Sequence, residues 1–499
     1  MLRSPLWQAL HWTEGPWKLP NMQHSRLFPT VSRNVFNIIV ALFLLSLVLL
    51  SLSAFHNGTL GDSLLVRPGS NANPSQQQAQ SSPPQTTDRR CSAVPDLPNV
   101  AVAIKTGANV IYDKLPMQLL ARLQCADDPL IFSDLAQTLG PHQVYDALAD
   151  VAANIKSGPD FDYYRQLQEY QKSGQDLRVL RDARPPAWKL DRYKFIHILK
   201  KTWEMRPGHD WYIFLEGDTY FLWTNVMLWL QQLDPNLPQY LGQQSYLKNE
   251  PFAHGGSGIV ISREAMSQVF DNDPDITSRY DELAQKESYG DFVLMKALQE
   301  KGINLTPYKP MFQGERPNAV RFGPGRPSGE RSWCQPLLSL HHVTPGDVDA
   351  LWQYEQQRQD PTQPILYADM YQQFMAPSLP RDSDDREDWY NLSDDAHIKP
   401  PGEKAERPIP EDEMTLVQEQ AYQSYDKCAA ACAEYHRCMQ YSYDFLAQKC
   451  SYSFSYRLGE KRPPTSDGRR HKSGWMLAKI NKDIEENGCT SLEWEGFHA

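Results

Sequence analysis

The chain has 499 residues, 41% of them hydrophobic and 22% charged, enough for one large or two ordinary domains with cores of their own. A formal charge of −11 argues against a nucleic-acid partner reached through a basic surface. Thirty-eight prolines assign much of the chain to loops and linkers, while 11% aromatic content excludes a fibrous or wholly disordered protein.

Residues 35–55 carry no charge and, at about 1.5 Å per residue, would span roughly 30 Å of hydrocarbon. Arg3, Lys18, Arg26 and Arg33 precede this run, and the first basic residue after it is Arg67. That asymmetry predicts a single-pass signal anchor with residues 1–34 as a cytosolic tail and everything after residue 55 in the lumen. The alternative, a cleaved signal peptide, calls for a shorter apolar region of about 7–15 residues nearer Met1. Three sequons (Asn57, Asn304, Asn391) and all eight cysteines lie beyond the run, as an oxidising, glycosylating compartment would have them.

Residues 58–90 are mostly Ser, Pro, Gln and Asn and read as a stalk, so 56–97 is taken as the stem. Periodic structure begins at Val100. The pattern predicts a buried strand at 100–105, a helix around 117–124 and a strand at 129–133. Trp188, Arg192, Phe195, Ile196, Leu199 and Trp203 recur at helical spacing. A strand at 211–215 ends on Glu216-Gly217-Asp218, and Thr224 is expected to cap a helix running through Leu233. Further on come an extended Tyr240-Leu241, a turn at 255–258, a strand at 259–261 and a helix capped by Ser262. A last helix, about 289–301, stops at Gly302. Strands alternating with helices predict an α/β sandwich over 98–376. Residues 377–413 are dense in Pro, Asp and Glu and read as a second linker, extended to 420; a small cysteine-rich domain occupies 421–485. Trp211, Tyr212, Trp223 and Trp229 are expected in the core rather than on a ligand.

An aspartate directly after an apolar strand stands at the carboxyl edge of an α/β sheet, where ligands bind. Asp218 with Glu216 beside it is thus a candidate for holding a hard divalent cation on a diphosphate; an ordinary acidic turn is the alternative.

Glu216-Gly217-Asp218-Thr219-Tyr220 resembles the Asp-Asp-Asp-Thr-Tyr motif of family 31 glycosyltransferases, the group containing Fringe and the core 1 β-1,3-galactosyltransferase. The stretch from Phe252 through Gly255-Gly256-Ser257-Gly258 to Ala265 is similar to their Gly-Gly-Ala-Gly-Tyr-Val-Leu-Ser-Lys-Glu-Ala segment. Gly290-Asp291-Phe292-Val293 resembles their acidic Glu-Asp-Val block, and Ser339-Leu340-His341-His342-Val343 their Ser-Phe-His-Tyr-Val. Lys105-Thr106-Gly107 and Tyr240-Leu241-Gly242 fit two further blocks, all in the family's order over about 98–345. The resemblance implies a GT-A type nucleotide-sugar-binding fold in a Golgi type II membrane protein. It implies inverting transfer of a hexose, galactose from UDP-galactose in β-1,3 linkage, to a glycoprotein glycan. Asp218 would hold Mn²⁺ on the phosphates of the UDP-sugar, with His341 as second ligand and His342 as the alternative that the doublet leaves open. Asp291 would be the general base. Thr106, Gly107, Glu216, Gly217, Gly255 and Gly256 would line the donor, the two last giving close passage to donor or acceptor. Glu216 and Gly217 depart from the motif's first two aspartates, which keeps two alternatives in play. One is a catalytically inactive lumenal binding protein; the other is a glycosidase using Glu216 and Asp291.

Cys428, Cys432, Cys438 and Cys450, followed by Ser473-Gly474-Trp475, resemble a PAN/Apple module that binds protein or carbohydrate. With it come the expected pairs Cys432–Cys438 and Cys428–Cys450; a zinc knuckle using His436 or His471 is the rival. Cys91–Cys125 is expected to staple the start of the α/β domain, and Cys334 and Cys489 are left without partners.

Overall fold

The computed structural model describes residue 91 and residues 99–494, except 127, 182–183, 272, 325–331, 382, 411–412, 488, 490–491 and 493. Among the described residues no helix is long and apolar enough to cross a membrane. The predicted tail, anchor and stem lie outside them, Cys91 apart, as does the sequon at Asn57.

The body is a mixed α/β sandwich on an eight-stranded sheet with the order β11-β7-β10-β5-β1-β2-β4-β3. At its centre β1 (Val100–Lys105) is buried along its whole length and lies parallel to both β2 (Leu130–Ser133) and β5 (Trp211–Glu216). Ala101 and Ala103 of β1 turn to one core face, and Val100, Val102 and Ile104 to the other, the period-two alternation of a strand covered on both sides. Beyond β2 lie β3 (Gln137–Leu139) and β4 (His142–Asp146). Following α1 (Ile111–Leu120), the long α2 (Arg184–Met205) covers the first face with Tyr193, Ile196 and Leu199.

After β6 (Tyr220–Phe221), α3 (Trp223–Leu230) begins two residues earlier than predicted. Thr224 therefore lies inside the helix, its hydroxyl donating to the Pro361 carbonyl at 3.4 Å, and the N-cap is Leu222 without a side-chain bond. The other edge is built from β7 (Tyr240–Gly242), a β8 (Gln244–Leu247) and β9 (Glu250–Ala253) hairpin beside it, and β10 (Ile259–Ser262). Ser262 caps α4 (Arg263–Phe270) as expected, accepting from the Ala265 N–H. Then come α5 (Gly290–Glu300), β11 (Leu305–Pro307), β12 (Ser339–Leu340) and α6 (Pro345–Gln357). Trp211, Tyr212, Trp223 and Trp229 are buried in the core.

A second, five-stranded antiparallel sheet has the order β13-β19-β16-β17-β15. Its strands include β13 (Asp385–Glu387) and β15 (Ala396–Ile398), both inside the stretch predicted to be a linker. Their Pro- and acid-rich surroundings hide them, because pairing with β19 (His471–Trp475) and β17 (Lys449–Ser453), not an apolar run, makes them strands. Trp389–Tyr390, β14, pairs outside this sheet with β18 (Glu460–Lys461). Over the sheet's central β16 (Gln440–Asp444) lies α7 (Tyr425–Glu434), stapled by Cys428–Cys450 and Cys432–Cys438. Cys91–Cys125 forms as expected, and Cys334 pairs with Cys489, so all eight cysteines are used. No cysteine is left for zinc.

The two sheets share a core. Tyr220, Leu222, Phe322 and Trp352 of the body cluster with Met439, Tyr456, Trp475 and Ile480 of the second part. Phe322 and Tyr456 exchange backbone hydrogen bonds of 3.0 and 2.8 Å, and Arg321 reaches Asp395 at 3.4 Å.

Of the sequons within the described residues, Asn304 is exposed. Asn391 is fully buried, and its amide nitrogen, the atom a glycan would occupy, donates to the carbonyls of Tyr441 and Gly474 at 3.1 Å each. Glycopeptide mass spectrometry should therefore find no glycan at Asn391. Asn391→Ala should lower stability by about 2–4 kcal/mol in denaturant unfolding, since two buried carbonyls lose their donor. A glycosylated Asn391 in folded protein would contradict this packing.

A candidate metal centre at the carboxyl edge of the sheet

The register pairs Lys105 with Glu216, so β1 and β5 end level and their following residues, Thr106-Gly107 and Gly217-Asp218, form one rim. Immediately after Asp218, β6 pairs antiparallel with β12, Tyr220 opposite Leu340. That pairing carries His341 back to the rim. The Val343 N–H donates to the Asp218 carbonyl at 3.1 Å and fixes the two segments together.

His341 Nε2 stands 3.6 Å from Asp218 Oδ1 and 3.9 Å from Glu216 Oε2. His342 Nδ1 stands 3.7 Å from Asp218 Oδ2. Successive residues of a strand point to opposite faces, so both rings reach one carboxylate only because His342 leaves the extended conformation. Its φ is +56°, in the left-handed region that histidine tolerates better than most residues. The two rings stack at 3.8 Å between centroids. Asp218, His341 and His342 each offer a ligand atom within 4.8 Å of the others. His342, left as an alternative in the sequence, stands here beside His341 rather than in place of it.

The fit to a cation is supported by what these groups lack. Asp218 Oδ1 and His341 Nδ1 are buried polar atoms with no hydrogen-bond partner among the described residues. The ring nitrogen facing Asp218 Oδ1 is Nε2, 3.6 Å away and beyond hydrogen-bond reach, which leaves a place for a cation between them. Two imidazoles and a carboxylate suit a borderline or transition divalent ion better than calcium.

Charge around the centre alternates in sign. Lys194 lies 2.6 Å from Asp134 and 3.4 Å from Asp191; Lys105 lies 2.6 Å from Asp191 and 2.9 Å from Glu216. Lys114 closes the chain at 2.8 Å from Asp218 Oδ2. Burial works against the Lys105 ammonium, but Asp191 and Glu216 outweigh it and hold it well above the usual lysine range. Burial likewise opposes ionisation of Glu216 and Asp218. Lys105 and His341 overcome that for Glu216, and the two histidines with Lys114 for Asp218, leaving both below the ordinary carboxylate range. Burial also works against the His341 imidazolium, yet Asp218 and Glu216 push the ring up to about 9. Burial first, and the charge of His341 second, push His254 down to about 4.

Asp291 opens α5. Its Oδ2 accepts from the Gly255 N–H and its Oδ1 from the Phe292 N–H, each at 2.9 Å, and burial pushes its carboxyl up to about 6. The short turn Gly255–Ser257 is the bridge between this acid and the candidate metal-ligand group. Gly255 bonds Asp291, and the Gly256 carbonyl accepts from Thr219 Oγ1 at 2.7 Å.

The structure shows a packing reason for these glycines alongside the expected one. A Cβ on Gly256 would lie 2.1 Å from His341 Cε1, and one on Gly255 would lie 2.6 Å from Phe195 Cε1. Close passage is to the protein's own rings. Gly256→Ala should displace His341 and weaken divalent-cation affinity about tenfold or more in a titration of the purified protein. Gly346→Ala, whose Cβ meets nothing nearer than 3.8 Å, should leave it unchanged.

Of the other predicted donor residues, Thr106 presents a buried hydroxyl with no partner among the described residues. Glu216 is tied to Lys105. A Cβ on Gly217 would lie 3.2 Å from Thr106 Oγ1, so its missing side chain leaves that hydroxyl room. Gly107 sits in the turn before α1, where the Val110 N–H donates to its carbonyl at 3.1 Å. Sequence reasoning assigned no role to Lys105, Lys114 or Asp191. Lys105 and Asp191 become informative only once the strand register and α2 bring them together, and Lys114 carries no local signal beyond its place on a helix.

No protein-family model matches the chain.

Proposed function

We propose that this chain is a Mn²⁺-dependent inverting glycosyltransferase of GT-A type. It would transfer a hexose, most simply galactose from UDP-galactose in β-1,3 linkage, to a glycoprotein glycan in the Golgi lumen, with the second sheet acting as a PAN/Apple-like binding module. The observation that carries this reading is the Gly255–Ser257 turn, which touches both the Asp218–His341 pair and Asp291. Four blocks that resemble one enzyme family thereby meet at one sheet edge.

A divalent ion on such a diphosphate supplies charge stabilisation for the leaving group. Asp218, His341 and His342 would hold it. Asp291 accepts the proton of the acceptor hydroxyl as that oxygen bonds to the anomeric carbon and the bond from that carbon to the phosphate oxygen breaks, UDP leaving with the electron pair. Its two backbone donors fix the carboxylate plane while a lone pair on each oxygen remains for the hydroxyl. Lys105 holds Glu216 ionised beneath His341 and so orients that ring.

The test is UDP-sugar hydrolysis and transfer by the purified protein across several donors, with and without Mn²⁺. Mn²⁺-dependent turnover of one donor supports the reading. Turnover of no donor by folded protein would favour the inactive binding protein that Gly217 in the motif suggests.

A further inference from the structure

Resting on that reading, we propose that Lys114 is a charge-holder with two positions: on Asp218 when the centre carries no cation, and on the diphosphate of the nucleotide when it does. Its Nζ is 2.8 Å from Asp218 Oδ2, the oxygen that also faces His342 Nδ1 at 3.7 Å. A lysine ammonium therefore occupies one arm of the metal-ligand group. The opposite arm, Asp218 Oδ1 facing His341, is buried without a hydrogen bond among the described residues.

A cation held by the same carboxylate repels the ammonium, and ligand and lysine compete for one oxygen pair. Lys114 can yield. Its side chain is 37% exposed, it has a flexible stem, and it sits on the first turns of α1, just after the Thr106–Gly107 rim. The charge that replaces Asp218 for it is the anion the cation brings in, and a compact ammonium suits a phosphate oxygen. Thr106 Oγ1, buried and without a partner among the described residues on the same rim, marks the side from which a further acceptor would enter. Lys114 would also bring a polar group to a rim on which Gly217 offers no side chain.

Lys114→Met tests this because the two affinities must move in opposite directions. Mn²⁺ alone, followed by the electron paramagnetic resonance signal of the free ion, should bind about two- to fivefold tighter to the variant, its competitor being gone. UDP, titrated calorimetrically at saturating Mn²⁺, should bind about tenfold weaker or worse. A matching thermal unfolding midpoint would show the fold intact. If Mn²⁺ binding weakens or is unchanged in Lys114→Met, or if UDP binding does not weaken, the inference is overturned while the proposed function stands. An unaltered protein that binds neither Mn²⁺ nor UDP would instead remove the reading on which it rests.

Discussion

Asp218→Asn is expected to abolish measurable divalent-cation binding and to lower UDP-sugar turnover by about 10³-fold or more. Asp218 is the one residue that both histidines face, His341 at 3.6 Å and His342 at 3.7 Å, so its loss leaves two imidazoles with no anion between them. An amide keeps the volume and one acceptor oxygen, but removes the charge that offsets a divalent ion. Losing several kcal/mol of leaving-group stabilisation corresponds to about that factor in rate. The variant's fold should survive, since among the described residues its carboxylate is hydrogen-bonded by Lys114 alone. Cation affinity in the unaltered protein should also rise with pH between about 6 and 8, because a cation must displace the proton from His341, whose ring is pushed up to about 9. Isothermal titration with Mn²⁺ at three pH values reads both effects. Unchanged affinity in Asp218→Asn would place the cation elsewhere.

Asp291→Asn should cost about 10²–10⁴ in kcat while leaving UDP affinity within about twofold. The carboxyl is buried and pushed up to about 6, so transfer by the unaltered protein should rise with pH through that value, where the proposed base becomes ionised. Stability must move the other way. A carboxyl whose folded value lies above its ordinary one favours the fold while protonated. That contribution is complete below the ordinary aspartate range and is lost as pH rises through about 6. Ionisation therefore weakens the fold on the order of 3 kcal/mol while switching on the proposed catalysis. The rising limb in kcat/KM should vanish in Asp291→Asn. A limb that persists would assign the titration, and the base, to another group.

The parts of this molecule that were legible in the sequence are those that local patterning dictates. The apolar 100–104 and 211–215 runs read as buried strands, and the structure pairs them in parallel, so that the aspartate following the second stands at the sheet's carboxyl edge. Ser262, an oxygen-bearing residue ahead of an apolar helix face, capped as its type does. Thr224 did not, because the helix starts before it, with buried Trp223 as its first residue. The strands at 385–387 and 396–398 were hidden for the opposite reason: they are held by partners some 50–90 residues away and carry little apolar signal of their own. At the centre, Asp218 and His341 were readable as residue types in motifs. The joint placement of His342 was not, since it depends on one left-handed residue, and Lys114 reaches its carboxylate across a separation of 104 residues.

The packing of Tyr220 and Leu222 against Trp475 and Tyr456 bears on how this chain can be cut or rearranged. Tyr220 follows Asp218 by two positions, so the floor beneath the candidate metal centre is laid partly by the polypeptide's last third. A fragment trimmed at the composition break would strip that floor bare, and the Cys334–Cys489 tether would lose one end with it. Transplanting the C-terminal sheet onto another scaffold would expose the same aromatic underside. Evolutionary exchange of such modules is easy when they hang from a tether; here the recipient would have to supply a matching aromatic floor.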